Sequence, residues 1–164
     1  MKFKLLPVLG ALLLASPALA DIEITDAYAR ASGPSAKAGA AFLTLQNTGD
    51  ADDRLIGVTT TVAKRAELHT HRDMGEGVMK MMEVEEGFPI PAGGSHQLAR
   101  GGDHIMLMGL TESFDQGKIL HLTLTFEQAG DIAVDIPVDL ERSDRPADHG
   151  GMDHTAAGQG KMDH

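Results

Sequence analysis

The sequence predicts an all-β domain, a sandwich of antiparallel sheets, and three observations carry that expectation. Apolar and polar residues alternate at period two in several short segments, no segment sustains a helical period, and turns rich in Gly and Pro punctuate the chain. In residues 21–30, Ile22 and Ile24 alternate with polar neighbours. Residues 40–46 set Phe42 and Leu45 among small residues, and residues 54–62 are rich in β-branched side chains. Residues 66–71, 77–84 and 104–110 continue the series, with the turns Pro91-Ala92-Gly93-Gly94 and Arg100-Gly101-Gly102-Asp103 between the later ones. Residues 119–127 place Leu120, Leu122, Leu124 and Phe126 on one face and His121, Thr123 and Thr125 on the other, as a half-buried antiparallel strand requires. Residues 131–138 close the set. Seven or eight such strands make two packed sheets with Greek-key connections.

Composition agrees with a single folded domain. The 164 residues are 42% apolar and 23% charged, with five Phe, one Tyr and no Trp. There is no Cys, so disulfides, thiolate metal sites and thiol nucleophiles are all excluded. Nine Met leave the thioether as the soft ligand available to a metal. Lys2 and Lys4, an apolar run over residues 5–15 and the small-residue site Ala18-Leu19-Ala20 read as a secretory signal peptide over residues 1–20. Its apolar run is too short for a membrane span, so the expectation is an exported, periplasmic protein with no membrane insertion. Loss of Lys2 and Lys4 takes the formal charge from −10 to −12. Nucleic acid is a poor partner for such a surface.

Residues 21–142 are the predicted β-sandwich domain, and residues 143–164 have almost nothing to bury, which predicts a flexible tail. The tail repeats Met-Asp-His, at Met152-Asp153-His154 and Met162-Asp163-His164, with His149 just ahead. His149, Met152, His154, Met162 and His164 are thus candidate ligands for a second metal, and imidazoles with carboxylate or backbone groups suit Cu(II).

Within the domain, His104-Ile105-Met106-Leu107-Met108 puts His104, Met106 and Met108 on one strand face and Ile105 and Leu107 on the other. Met79 and Met81 align in the same way, as do His69 and His71. Three segments therefore present His or Met at period two. Neutral imidazoles with polarizable thioethers suit Cu(I), whereas calcium and magnesium require oxygen ligands and zinc rarely takes a thioether. Ser95-His96 is no nucleophile and base pair, because adjacent strand residues face opposite ways. Glu83, Glu85 and Glu86 read as an exposed acidic edge, and the chain is not expected to be an enzyme.

The segments Glu67-Leu68-His69, Gly77-Val78-Met79-Lys80-Met81, Ile90-Pro91-Ala92-Gly93-Gly94 and residues 101–110 resemble the PCuAC-type periplasmic copper chaperones, a likeness running over roughly residues 22–137. The resemblance implies a cupredoxin-like sandwich and a Cu(I) site made by His69, Met81, His104 and Met106, with His71 and Met79 as alternative or supporting ligands. Eleven residues separate His69 from Met81 and 22 separate Met81 from His104, slightly more than in the family pattern. Counting from His71 to Met82 gives ten and then 21, which fits the bare family pattern, but Met82 falls on the face opposite Met79 and Met81. The implied function is delivery of Cu(I) to an apo copper protein, a cytochrome c oxidase subunit or its assembly factor. The alternative is copper sequestration for resistance.

Overall fold

The computed structural model of the chain describes residues 21–33 and 35–143. The expected signal peptide and the tail ligands His149, Met152, His154, Met162 and His164 lie outside these residues. In chain order the strands are β1 (Ile22–Ala31), β2 (Ala38–Asn47), β3 (Asp53–Thr60), β4 (Ala63–Asp73), β5 (Met79–Glu83), β6 (Phe88–Ile90), β7 (Ser95–Leu98), β8 (His104–Leu110), β9 (Ile119–Phe126) and β10 (Gly130–Pro137). No helix occurs among the described residues. One sheet has the order β1-β2-β8-β4-β5, with β7 also paired to β2, and the other has the order β10-β9-β3-β6. All of these pairings are antiparallel. The all-β sandwich expected from the alternation is what the chain forms.

The core is the set of inward residues that the period-two pattern marks. Leu43, Leu45, Leu68, Ile105 and Leu107 of the first sheet are buried, as are Leu55, Leu120, Leu122, Leu124 and Phe126 of the second. Burying each such side chain contributes roughly 1.5–3 kcal/mol, which is what holds the two sheets face to face. Gly39 in β2 is needed for close approach. A Cβ there would stand 2.7 Å from the Phe114 ring and 2.9 Å from the Arg30 carbonyl. Phe114, itself buried, packs into the room that the missing side chain leaves.

Two strands go beyond the expected set. β6 and β7 have three and four residues, too few to display an alternation, and Pro89 and Pro91 make that stretch read as turn. β7 nonetheless matters, because it pairs with one end of β2 while β8 pairs with the other. The 99–103 turn therefore joins two strands lying along the same edge of β2.

Asp53 is a buried carboxylate that ties β3 to the turn between β9 and β10. Its Oδ1 accepts the amide N–H groups of Arg54 at 2.7 Å and Gln128 at 2.8 Å, and its Oδ2 accepts that of Ala129 at 3.0 Å. Asp53→Ala should cost about 2–4 kcal/mol in urea unfolding, since it removes three hydrogen bonds to a buried carboxylate. Metal binding should be unchanged, because Asp53 belongs to the opposite sheet from the site described next.

Candidate metal centre

Strand register assembles the site. Between β4 and β8, Glu67 stands opposite Met106 and His69 opposite His104. Between β4 and β5, His71 stands opposite Met81, Asp73 opposite Met79 and His69 opposite Glu83. Leu68, Ile105 and Leu107 point into the core, so alternation turns His69, His71, Met79, Met81, His104 and Met106 to the outer face of the first sheet. β2 supplies two small residues beside them: Ala40 faces Met106 and Ala38 faces Met108. The hollow left over these alanines is a cavity of about 380 Å³, lined by His71, Met81, His104, Met106, Phe42 and Arg100 among others.

His104 is the innermost ligand candidate, only 2% exposed. Its ring centroid lies 5.1 Å from that of His71, 5.9 Å from that of His69 and 6.2 Å from that of Phe42. Its Nδ1–H donates to the Gly102 carbonyl at 2.9 Å, and the same oxygen accepts Nδ1–H of His71 at 3.2 Å. A carbonyl can only accept, so in both rings Nδ1 carries a proton, and in the neutral form Nε2 holds the lone pair. Burial pushes the His104 imidazole below its ordinary pKa, against a smaller opposing effect of the Gly102 bond, and keeps it neutral and able to ligate at neutral pH.

His69 is held from the other side. Its Nε2 and the Glu67 Oε2 are 2.9 Å apart, and the two side chains are 12% and 15% exposed. The His69 Nδ1 is buried and has no hydrogen-bond partner, the one such side-chain atom among the described residues. The bond from His69 draws the Glu67 carboxyl below the usual carboxylate range, aided by Arg65 and opposed by burial. Native proteins rarely leave a buried polar atom unpaired without a reason, and a missing ligand is one such reason.

The turn carrying Gly102 is itself anchored. His96 stacks on Phe88 at a centroid distance of 4.9 Å, and its Nε2 lies 2.8 Å from the Asp103 Oδ2. This holds the residue before His104 while Gly102 holds the ring.

The expected ligands are thus placed unequally. Met81, His104 and Met106 line the cavity together with His71, and His69 stands beside His104 with its free nitrogen. Met79 is 55% exposed, two pairs further out along the hairpin and off the cavity wall. Met82 pairs with Thr70, one step out of phase with His71 and Met81. Sequence reasoning missed Glu67, the Gly102 carbonyl and the two alanines. Glu67 was findable, since it shares the period-two face of His69. Among the described residues no three His, Asp or Glu side chains form a metal-holding group by themselves. What the face offers is mixed imidazole and thioether donors, a set suited to a soft, low-valent cation.

Comparison with known proteins places the chain in a family and a fold. A family profile described as "Putative lipoprotein LpqE-like" matches residues 22–138. The chain belongs to the LpqE-like family. A relative, "Putative lipoprotein Lxx21020" of Leifsonia xyli subsp. xyli, is 35% identical over 117 residues, 71% of this chain and 69% of that protein. Among solved structures, the copper-bound PCuAC domain from PmoF2 superposes with a TM-score of 0.60 at 24% identity, over 75% of this chain and 96% of that one. The solution structure of CuI-DR1885 from Deinococcus radiodurans gives 0.59 at 31% identity, over 82% and 87%. The PCuAC-type resemblance read from the sequence therefore holds for this LpqE-like chain.

An unpaired buried nitrogen costs stability, about 1–3 kcal/mol, whereas removing both partners of a polar pair for apolar groups is nearly neutral or stabilising. Glu67→Leu combined with His69→Leu should accordingly leave the metal-free protein as stable as the parent or more so. Calorimetry in chelator-treated buffer checks this, with the expected melting temperature equal to or above that of the parent.

Proposed function

We propose that this protein is a copper chaperone acting outside the cytoplasm, in the periplasm, that holds one Cu(I) and passes it to an apo copper protein. The observation that carries the reading is the convergence of imidazoles and thioethers from β4, β5 and β8 on one hollow, beside a buried His69 nitrogen with no partner. The ligands are His69, Met81, His104 and Met106, with His71 at the cavity wall and Met79 further out on the hairpin. Copper in the PmoF2 domain and Cu(I) in DR1885 support the choice of metal. The lipoprotein descriptions of the relatives support an extracytoplasmic location.

The ligand set also accounts for binding that can be reversed on contact. His104 is deeply buried, but Met81 is 41% exposed on the β4–β5 hairpin, so an acceptor's thiolate or imidazole can reach the metal from that side. Ligands are then exchanged one at a time. Four protein ligands leave no open position for a substrate, which is why the reading is carriage rather than catalysis. The acceptor implied by the PCuAC likeness is the copper centre of cytochrome c oxidase or an assembly factor for it.

Replacing Met81 and Met106 together by Leu keeps side-chain volume and should keep the fold. High-affinity Cu(I) retention against a competing chelator should be lost. Retention equal to the parent's would contradict the site.

The tail has its own role in this reading, as a Cu(II) ligand through His149, His154 and His164, with Met152 and Met162 beside them. Removing residues 144–164 should subtract one Cu(II) equivalent and leave the Cu(I) equivalent in place, as read by metal titration of both forms under oxidising and reducing conditions. A full complement of Cu(II) in the shortened chain would make the tail irrelevant to metal binding.

A further inference from the structure

We propose that Glu67 is a positioning residue for the metal centre: by accepting the Nε2–H of His69 it fixes that imidazole in one tautomer and makes the buried Nδ1 the ligating nitrogen. The proposal rests on the copper reading above and adds to it which nitrogen of each histidine meets the metal, and why.

Arg65, Glu67 and His69 lie on one face of β4 at successive period-two positions. Both Oε1 contacts of Glu67 go to Arg65, one from Nε at 2.8 Å and one from Nη2. Only Oε2 remains, and it lies 2.9 Å from the His69 Nε2. An ionised carboxylate only accepts hydrogen bonds, so Nε2 carries a proton, and in the neutral ring the lone pair is then on Nδ1. Arg65, largely exposed, engages only Oε1 and leaves Oε2 to His69. The lone pair on Nδ1 is the buried atom for which the protein supplies no partner.

His104 is fixed in the opposite sense. Its Nδ1–H is taken by the Gly102 carbonyl, leaving Nε2 free. The two histidines face each other across the β4–β8 pairing with different nitrogens available, Nδ1 from one and Nε2 from the other. A donor hydrogen bond on the far nitrogen orients a ligating imidazole and raises its basicity, and loss of such a partner typically costs about 10–100-fold in metal affinity. The carboxylate's own charge is matched by Arg65, so this device does not depend on placing a net negative charge beside the cation.

The test reads tautomers first, without metal. Long-range ¹H–¹⁵N correlation spectra of the metal-free, full chain should show His69 protonated at Nε2 and His104 at Nδ1. In Glu67→Ala, His69 should lose its single tautomer, and Cu(I) affinity measured against a competing chelator should fall about 10–100-fold. Arg65→Ala should leave the tautomer in place and change affinity by less than about threefold. In the Arg65→Ala background, Glu67→Gln should retain the Nε2–H form and most of the affinity, because the amide oxygen is then free to accept from His69. That variant separates positioning from a simple loss of folding.

A parent His69 protonated at Nδ1, or a Glu67→Ala variant with unchanged tautomer and affinity, would overturn the proposal while leaving the copper reading intact. A parent that does not retain Cu(I) would overturn the copper reading, and the role of Glu67 in metal binding with it.

Discussion

The register between β4 and its two neighbours is the constraint on which the site depends. A strand's side chains alternate faces, so slipping β4 by one residue against β8 would send His69 and His71 into the core and Leu68 to the surface. The buried Leu68, Ile105 and Leu107 prevent that slip, each contributing to the same core that closes the sandwich. Hydrophobic burial therefore sets the ligand geometry indirectly. His69 meets His104 because Leu68 and Ile105 beside them face the core, and the β4–β5 pairing then sets His71 opposite Met81. Ala38 and Ala40 on β2 then decide that the face is hollow rather than filled.

Polar contacts refine what the register has placed. Gly102 offers one carbonyl to two imidazoles, and the turn around it is secured through Asp103, His96 and Phe88. Burial works in the same direction by favouring the neutral form of His104, the form able to ligate a metal. Glu67 takes the remaining histidine from the opposite side. Under the proposed function, neutral ligands would leave a bound Cu(I) its single positive charge, and soft thioethers favour that oxidation state over the doubly charged ion. The cost of this arrangement is visible in the free protein, as a buried nitrogen with nothing to bond.

Much of this was legible in the sequence because strand periodicity encodes both the core and the face that carries the ligands. Leu120, Leu122, Leu124 and Phe126 marked an inward face that the structure buries. The same alternation grouped His104 with Met106, and Met79 with Met81, and told Met82 apart from them. What it could not convey was pairing. Nothing in the local sequence says that β8 lies between β2 and β4, which is what brings alanines to one side of Met106 and Glu67 to the other. β6 and β7 escaped notice for a simpler reason, since three or four residues with proline nearby carry too little pattern. Spacing and strand face point different ways for His69 and His71, and their surroundings also differ: His71 lines the cavity, while His69 holds the unpartnered nitrogen.

The central claim is that one outer sheet face supplies a mixed nitrogen and sulfur site for a single soft cation. X-ray absorption at the copper edge, on the protein loaded with one equivalent of Cu(I), tests it most directly. The account predicts a shell containing both imidazole nitrogen and two thioether sulfurs. A shell of nitrogen and oxygen alone, with no sulfur, would contradict it.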